Sequence, residues 1–411
     1  MSYIDRARAS WFMSEAGLDA LLLFEPESFR YATGLDGGVA TAFRRAGACA
    51  ALVPCDPGAS IAAILSDHQL HFGPSAQGAI ELITHPTWID YVDISDGDHP
   101  APLDSLARAY KAQGLGGARP ETFDRDLVNA LIGDLLTTRG LANARVGIDM
   151  AFIPANDLAR LKAALPRVTW VDGSALLDRI RSVKTAHEIA CLRNANLASE
   201  AGLLHMADHA QIGMARSELD RLWRDGAARA ASAHGFKISG DRAGIAVGPN
   251  LIIRDPVLEN GHLIKADMGV AVENYLSDGT RSYVMGAPSP MVRTIFAAIE
   301  DVFEAGITAI RPGATFGDVH RTVLDAVKKA GLPESYCRGH FGHSIGAACM
   351  EEWPFFSARN PEEILPGMVL AFEVPMYLHG TGAMMIEDQL LVTETGIEVM
   401  NKLPRALTQL G

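Results

Sequence analysis

Short apolar runs alternate with amphipathic stretches along the first part of the chain. Residues 18–24 (LDALLLF) and 49–54 (CAALVP) are nearly all apolar and are bounded by Pro, Gly and Asp, the pattern of strands buried on both faces. A further strand is predicted from Arg145 (RVGIDM), then a short helix over 156–165 (NDLARLKAAL) with Asn156 as its N-cap. The Asp-, Gly- and Pro-rich stretch 96–103 (DGDHPAPL) is predicted to be a loop. With helical segments between the runs, this is an α/β region. After Gly173 the texture changes: long amphipathic helices run to about Ala233, and strands follow around LIKADMGVAV and LVTETG. A helix pair is predicted at 289–310, opening at Pro288 or Pro290, and at 316–331, closed by Gly331. A boundary near Gly173 gives domains of residues 1–173 and 174–411.

A chain of 411 residues suits two cores rather than one, and 48% apolar with 21% charged residues describes a globular protein. The net charge of −13 disfavours nucleic acid or an anionic membrane as partner, since both are bound by excess Lys and Arg. A small-molecule substrate is expected instead. Five cysteines without a C-x-x-C pair read as reduced thiols, the opening MSYIDRARASWFM lacks a continuous apolar segment, and no run is long enough to span a membrane. A cytoplasmic location is expected.

Candidate chemistry lies in the second domain. Asp267 ends the apolar run HLIKA, where a buried carboxylate is costly, and ten residues separate it from Asp278. A tight turn at VENY would bring the chain back antiparallel and let both carboxylates converge on a cation; the alternative is two surface turn acids. Glu373 follows MVLAF and Glu387 follows AMMI, runs apolar on both faces, so each carboxylate must be paired or metal-bound. Two carboxylates ~4 Å apart repel by about 4 kcal/mol even at an effective dielectric near 20, and divalent cations reverse that. Four such oxygen ligands with the imidazole of His343 suit Mn, Co, Zn or Fe rather than an all-thiolate zinc site. Residues 342–346 (GHSIG) also match the G-x-S-x-G nucleophile elbow. Yet no apolar strand precedes Ser344, and the one His after it, His379, comes just six residues after Glu373, so Ser344 reads as a turn residue beside a ligand. His205 and His209 sit at i, i+4 without a Glu base between them and read as a helix surface pair.

In order and spacing, Asp267, Asp278, His343, Glu373 and Glu387 resemble the five metal ligands of the creatinase, aminopeptidase P, prolidase and methionine aminopeptidase (M24) superfamily. The motifs are D-x10-D-G-T-R from Asp267, GHSIG followed by Glu351 eight residues after its His, PGMVLAFEVP from Pro366, and IEDQLLVTETG from Ile386. EPESFRYATGL from Glu25 is similar to that superfamily's N-terminal domain. The resemblance implies an α/β N-terminal domain joined to an α+β pita-bread (creatinase/aminopeptidase-like) catalytic domain, and two divalent ions. Asp267 would chelate one ion, His343 and Glu373 the other, and Asp278 and Glu387 would bridge.

Where the peptidase branch places further histidines, this chain has Gly339 and Met350, with Arg254 and Asp255 near a third such position; Met385 replaces a common Arg. EEWP from Glu351 is more similar to the dimethylsulfoniopropionate-lyase branch, and creatinase-type and ectoine-hydrolase-type relatives also act on small non-peptide molecules. The expected activity is hydrolysis of an amide-type C–N bond in a small amino-acid-like or Xaa-Pro-like substrate, with poor Xaa-Pro cleavage. Glu373 would shuttle the proton, His340 assist the leaving group, and Thr280 support a ligand as a second-layer hydroxyl. Met350, Trp353 and Met385, with Met384, would line an apolar pocket. A lyase using Asp255 or a ligand carboxylate as base is the alternative, and a non-enzymatic binding scaffold a further one. The resemblance also implies a homodimer in which loop 35–47 (LDGGVATAFRRAG) closes the partner's site.

Overall fold

The computed structural model describes residues 3–71, 80–95, 101–347, 351 and 353–411. The chain forms two compact units, Met1–Ile180 and Arg181–Gly411. In the first, the apolar runs become strands β1 (Ala20–Leu23), β2 (Ala50–Pro54), β3 (Ile61–Ser66), β4 (Ile80–His85), β5 (Arg145–Ile148) and β6 (Thr169–Asp172). They form one sheet ordered β4-β3-β2-β1-β5-β6, antiparallel at β1/β2 and β2/β3 and parallel at the other pairings. Every residue of β1, β2 and β3 is buried, which is why these runs lack polar alternation. Helices α1 (Arg6–Glu15), α2 (Pro26–Thr33), α3 (Pro102–Ala112), α4 (Arg125–Thr138) and α5 (Ala155–Ala164) accompany the sheet. Val128, Ile132 and Leu135 of α4 and Leu161 of α5 share a core with Leu22, Leu52 and Val146. Asn156 is not a cap: α5 starts at Ala155 behind Pro154, so Asn156 lies in the first turn. Helix α6 (Ser174–Ser182) leads into the second unit.

That unit holds α7 (Ala186–His209), α8 (Arg216–His234), α9 (Pro290–Ala309) and α10 (Phe316–Lys329). Its strands are β7 (Gly240–Val247), β8 (Leu263–Val272), β9 (Tyr275–Leu276), β10 (Thr280–Met285), β11 (Gly342–Ser344), β12 (Val369–Leu378), β13 (Gly382–Val392), β14 (Ile397–Val399) and β15 (Thr408–Leu410). The antiparallel path β11-β12-β13-β10-β8-β7 is the backbone of the sheet, with β9, β14 and β15 on its flanks. Of the two predicted starts for α9, Pro290 is the one used, behind a capping Ser289. Gly331, at φ 76°, follows α10 as expected.

Alternate strand residues face the helices. Leu370 and Phe372 of β12 and Met384 and Ile386 of β13 pack against Phe303 of α9 and Val323 of α10. Ala266 and Met268 of β8 pack with Met206 of α7 and Trp223 of α8. By the pleat, the intervening residues face the other side of the sheet, and the carboxylates are among them. This is the α/β plus pita-bread architecture expected from the sequence. Among the described residues no helix is long and apolar enough to cross a membrane.

Candidate metal centre

Strand register assembles the site. Glu373 stands opposite Glu387, Glu387 opposite Thr280, and Thr280 opposite Asp267. Directly opposed residues share a face, so one row of side chains carries three carboxylates and a hydroxyl. Asp278 joins them through the hairpin between β8 and β9, where Glu273 and Asn274 sit at φ 51° and 69°, the two left-handed positions of a type I′ turn. The expected reversal at VENY is present, and Asp267 and Asp278 converge on a single nitrogen, Arg242 Nη2. His343 comes from β11. Gly342 before it is held at φ 133°, with β12 so close that a Cβ would lie 2.1 Å from the Ala371 carbonyl oxygen.

Asp278, His343 and Glu387 each offer a donor atom within 4.8 Å of the others, and all three are buried. The His343 Nδ1–H donates to the Ser344 carbonyl at 2.9 Å, which leaves the Nε2 lone pair facing Asp278 Oδ2 at 3.6 Å. Thr280 Oγ1 donates to Glu387 at 2.7 Å. Burial pushes Glu387 well above the usual carboxylate range, reinforced by the neighbouring Asp278. Burial also raises Asp278 to about 6 against the pull of Arg242. Such a pair accepts a proton or a cation to relieve its crowding. A neutral imidazole with two carboxylates fits one borderline divalent ion, so these residues could hold it.

Three basic side chains escaped the sequence reading. Arg242 of β7 binds Asp267 Oδ1 at 2.7 Å and also Asp278; Lys265 Nζ lies 3.0 Å from Asp267 Oδ2; Arg338 Nη2 lies 3.3 Å from Glu373. Burial opposes the charge of Asp267, but Lys265 and Arg242 prevail and hold its carboxyl below the ordinary range. Lys265 was legible as a cation two residues before Asp267, hence on the same strand face. Arg242 and Arg338 carry no comparable local signal, because strand pairing and loop packing bring them in.

The remaining candidates disperse. His340 lies beside the row, its Nδ1 accepting from Gly342 N and standing 3.7 Å from Glu373 Oε1. Burial, then Arg338, lowers its pKa to about 4, so the ring is neutral at pH 7 with its proton on Nε2. Asp255 accepts from the backbone and hydroxyl of Ser217 at the start of α8, and none of its hydrogen-bond or ion-pair partners is a site residue. Met385 flanks Glu387 on the same strand face, whereas Met384 points into the helix-covered core instead of a pocket. Trp353 is half-buried, and Met350 lies outside the described residues. Ser344 is a strand residue, not a turn: fully buried, it donates to Glu351 at 2.6 Å and meets Lys184 Nζ at 2.9 Å. His205 and His209 are a helix pair with rings 4.1 Å apart. A second donor group, His187 and Cys191 of α7 with Glu273, is half-exposed, and one nitrogen of His187 serves both neighbours at 3.0 and 3.7 Å.

Comparison with known proteins identifies the family. The model of metallopeptidase family M24 matches residues 190–394, and that of the creatinase/prolidase N-terminal domain matches residues 108–183. The "Probable dipeptidase PepE" of Mycobacterium tuberculosis is 30% identical over 285 residues, covering 68% of this chain and 72% of the relative. The "Uncharacterized peptidase YqhT" of Bacillus subtilis is 26% identical over 278 residues, covering 66% and 76%. Among solved structures, the Xaa-Pro dipeptidase from Bacillus anthracis superposes with a TM-score of 0.76 at 20% identity, covering 98% of this chain and 99% of that one. Dipeptidase PepE from Mycobacterium ulcerans gives 0.70 at 25%, covering 98% and 96%. The chain therefore belongs to metallopeptidase family M24, as a hydrolase with a creatinase/prolidase-type N-terminal domain.

Proposed function

We propose that this chain is a metal-dependent hydrolase cleaving an amide-type C–N bond in a small, carboxylate-bearing amino-acid derivative. The observation that carries the reading is the convergence of Asp278, His343 and Glu387 with the His343 Nε2 lone pair turned inward. A divalent ion held there supplies Lewis acidity and acidifies water at neutral pH. The other tasks fall to side chains. Glu373, whose pKa burial raises despite Arg338, takes the proton of the attacking water at a carboxylate oxygen and returns it to the departing nitrogen. His340, neutral and protonated on Nε2, offers that leaving group a hydrogen bond and keeps its own proton. Arg338 Nη1 is buried without a hydrogen-bond partner among the described residues, and so is Arg242 Nε. A buried orphan donor calls for an acceptor, and Arg338 supports a carboxylate on the substrate as that acceptor. Met385 beside Glu387 favours a compact acyl group over the proline ring of an Xaa-Pro dipeptide.

The test is a panel of N-acyl amino acids, Xaa-Pro dipeptides, creatine, ectoine and dimethylsulfoniopropionate, assayed with Mn-reconstituted protein. Amine release from a compact N-acyl amino acid, ahead of Ala-Pro and Gly-Pro, is expected. An olefinic product from the sulfonium compound, with every amide left intact, overturns hydrolysis. Turnover of Ala-Pro or Gly-Pro above all others overturns the substrate preference.

A further inference from the structure

The five ligands implied by the resemblance call for two ions, and the electrostatics around them call for fewer. Asp267, Asp278, Glu373 and Glu387 are the four acids of the centre, and Arg242, Lys265 and Arg338 each bind at least one of them. With all four acids deprotonated, as metal binding requires, four carboxylates against three cations leave one excess negative charge. A single divalent ion brings the centre to one positive charge, whereas two bring it to three, in a pocket whose acids are all largely buried. Geometry makes the same distinction. The position between Asp267 and Asp278, where a second ion would bridge, is taken by one nitrogen, Arg242 Nη2, bonded to both carboxylates. Lys265 Nζ, 6% exposed as a side chain, occupies the other oxygen of Asp267 at 3.0 Å. At Asp278, Arg242 takes Oδ1 and leaves Oδ2 to the cluster with His343 and Glu387: His343 Nε2 faces Asp278 Oδ2, and Thr280 donates to one oxygen of Glu387.

We propose that the centre takes one divalent ion, at Asp278, His343 and Glu387, and that Arg242, backed by Lys265, stands where a second ion would bridge Asp267 and Asp278. The proposal rests on the metal-dependent reading above. In this arrangement Asp267 positions Arg242 rather than binding metal, and the guanidinium supplies a fixed positive charge that neither dissociates on chelation nor varies with the metal loaded.

The test is metal stoichiometry on the full chain, by elemental analysis after Mn reconstitution, with electron paramagnetic resonance of the bound Mn(II). Wild type is expected to hold about one ion per chain with the signal of an isolated Mn(II). Arg242→Ala combined with Lys265→Met frees Asp267 and is expected to raise the content to about two, with a spin-coupled signal; His343→Ala is expected to lower it to near none. Circular dichroism melts of each variant establish that it is folded. Two spin-coupled ions in wild type overturn the single-ion proposal while leaving metal dependence intact. No ion in wild type at any Mn concentration overturns both. A folded double variant that still takes one ion overturns the role given to Arg242.

Discussion

His343 offers a single nitrogen because the other already donates to the Ser344 carbonyl. A ligand oriented this way is set before the ion arrives, and its neighbours matter nearly as much. Thr280→Val removes the hydroxyl that holds one Glu387 oxygen, and metal affinity measured by titration calorimetry should fall by roughly 10- to 100-fold with the fold retained. His340 makes a prediction about pH. Its pKa in the folded protein is about 4, against an ordinary value near 6.5, because burial and Arg338 disfavour the imidazolium. Between those values the unfolded chain binds a proton that the native protein refuses, so this group lowers stability as pH falls from about 6.5 to about 4, and has no effect above. Urea denaturation of His340→Gln against wild type should show a shallower loss over that window; identical profiles would contradict the buried neutral ring. At this scale the acids were legible because a carboxylate inside an apolar run must be compensated. What compensates them was not, since Arg242 lies on β7 and meets Asp267 only through the register of β7 with β8.

Between elements, the site depends on two contacts behind it. Arg281, the last residue of the D-G-T-R motif, donates to the Thr280 and Glu387 carbonyls, to the Leu403 carbonyl and to the buried Asp388, fastening β10 to β13 on the opposite face from the carboxylates. Arg281→Met leaves Asp388 to Arg405 alone and should destabilise the protein by roughly 3 kcal/mol in chemical denaturation. It should also weaken metal binding, because Glu387 loses its backbone anchor. At Gly342, any Cβ collides with the β12 backbone at a left-handed φ, so Gly342→Ala should displace β11 and cost about 1–3 kcal/mol, with His343 carried out of place. Strand and helix identity was readable from apolar runs and Pro and Gly punctuation. The misread positions were those decided by tertiary packing: Ser344 extends beside β12 despite its glycine neighbours, and Met384 follows the pleat inward while Met385 stays with the carboxylates.

For the molecule as a whole, an ion that binds the folded but not the unfolded chain stabilises it by about 2.7 kcal/mol at a hundredfold excess over its dissociation constant. In a catalytic unit of this size that is a rise of roughly 5 °C in melting temperature on Mn addition, reversed by chelation. A thermal scan showing no shift would contradict resident metal. The resemblance to creatinase and prolidase relatives implies a homodimer, and the loop at 35–47 exposes Phe43, packed edge-on against the exposed Trp88 with centroids 5.4 Å apart. Light scattering should give about twice the 44.0 kDa chain mass. A fully active species at the chain mass would contradict it. The central claim, hydrolysis of an amide at the Asp278, His343 and Glu387 centre, is tested most directly by amine release from an N-acyl amino acid with Mn-loaded, chelated and Glu373→Gln protein side by side. The account predicts turnover in the first, none in the second, and a loss of at least about 100-fold in the third. Undiminished turnover after chelation, or in Glu373→Gln, would contradict it.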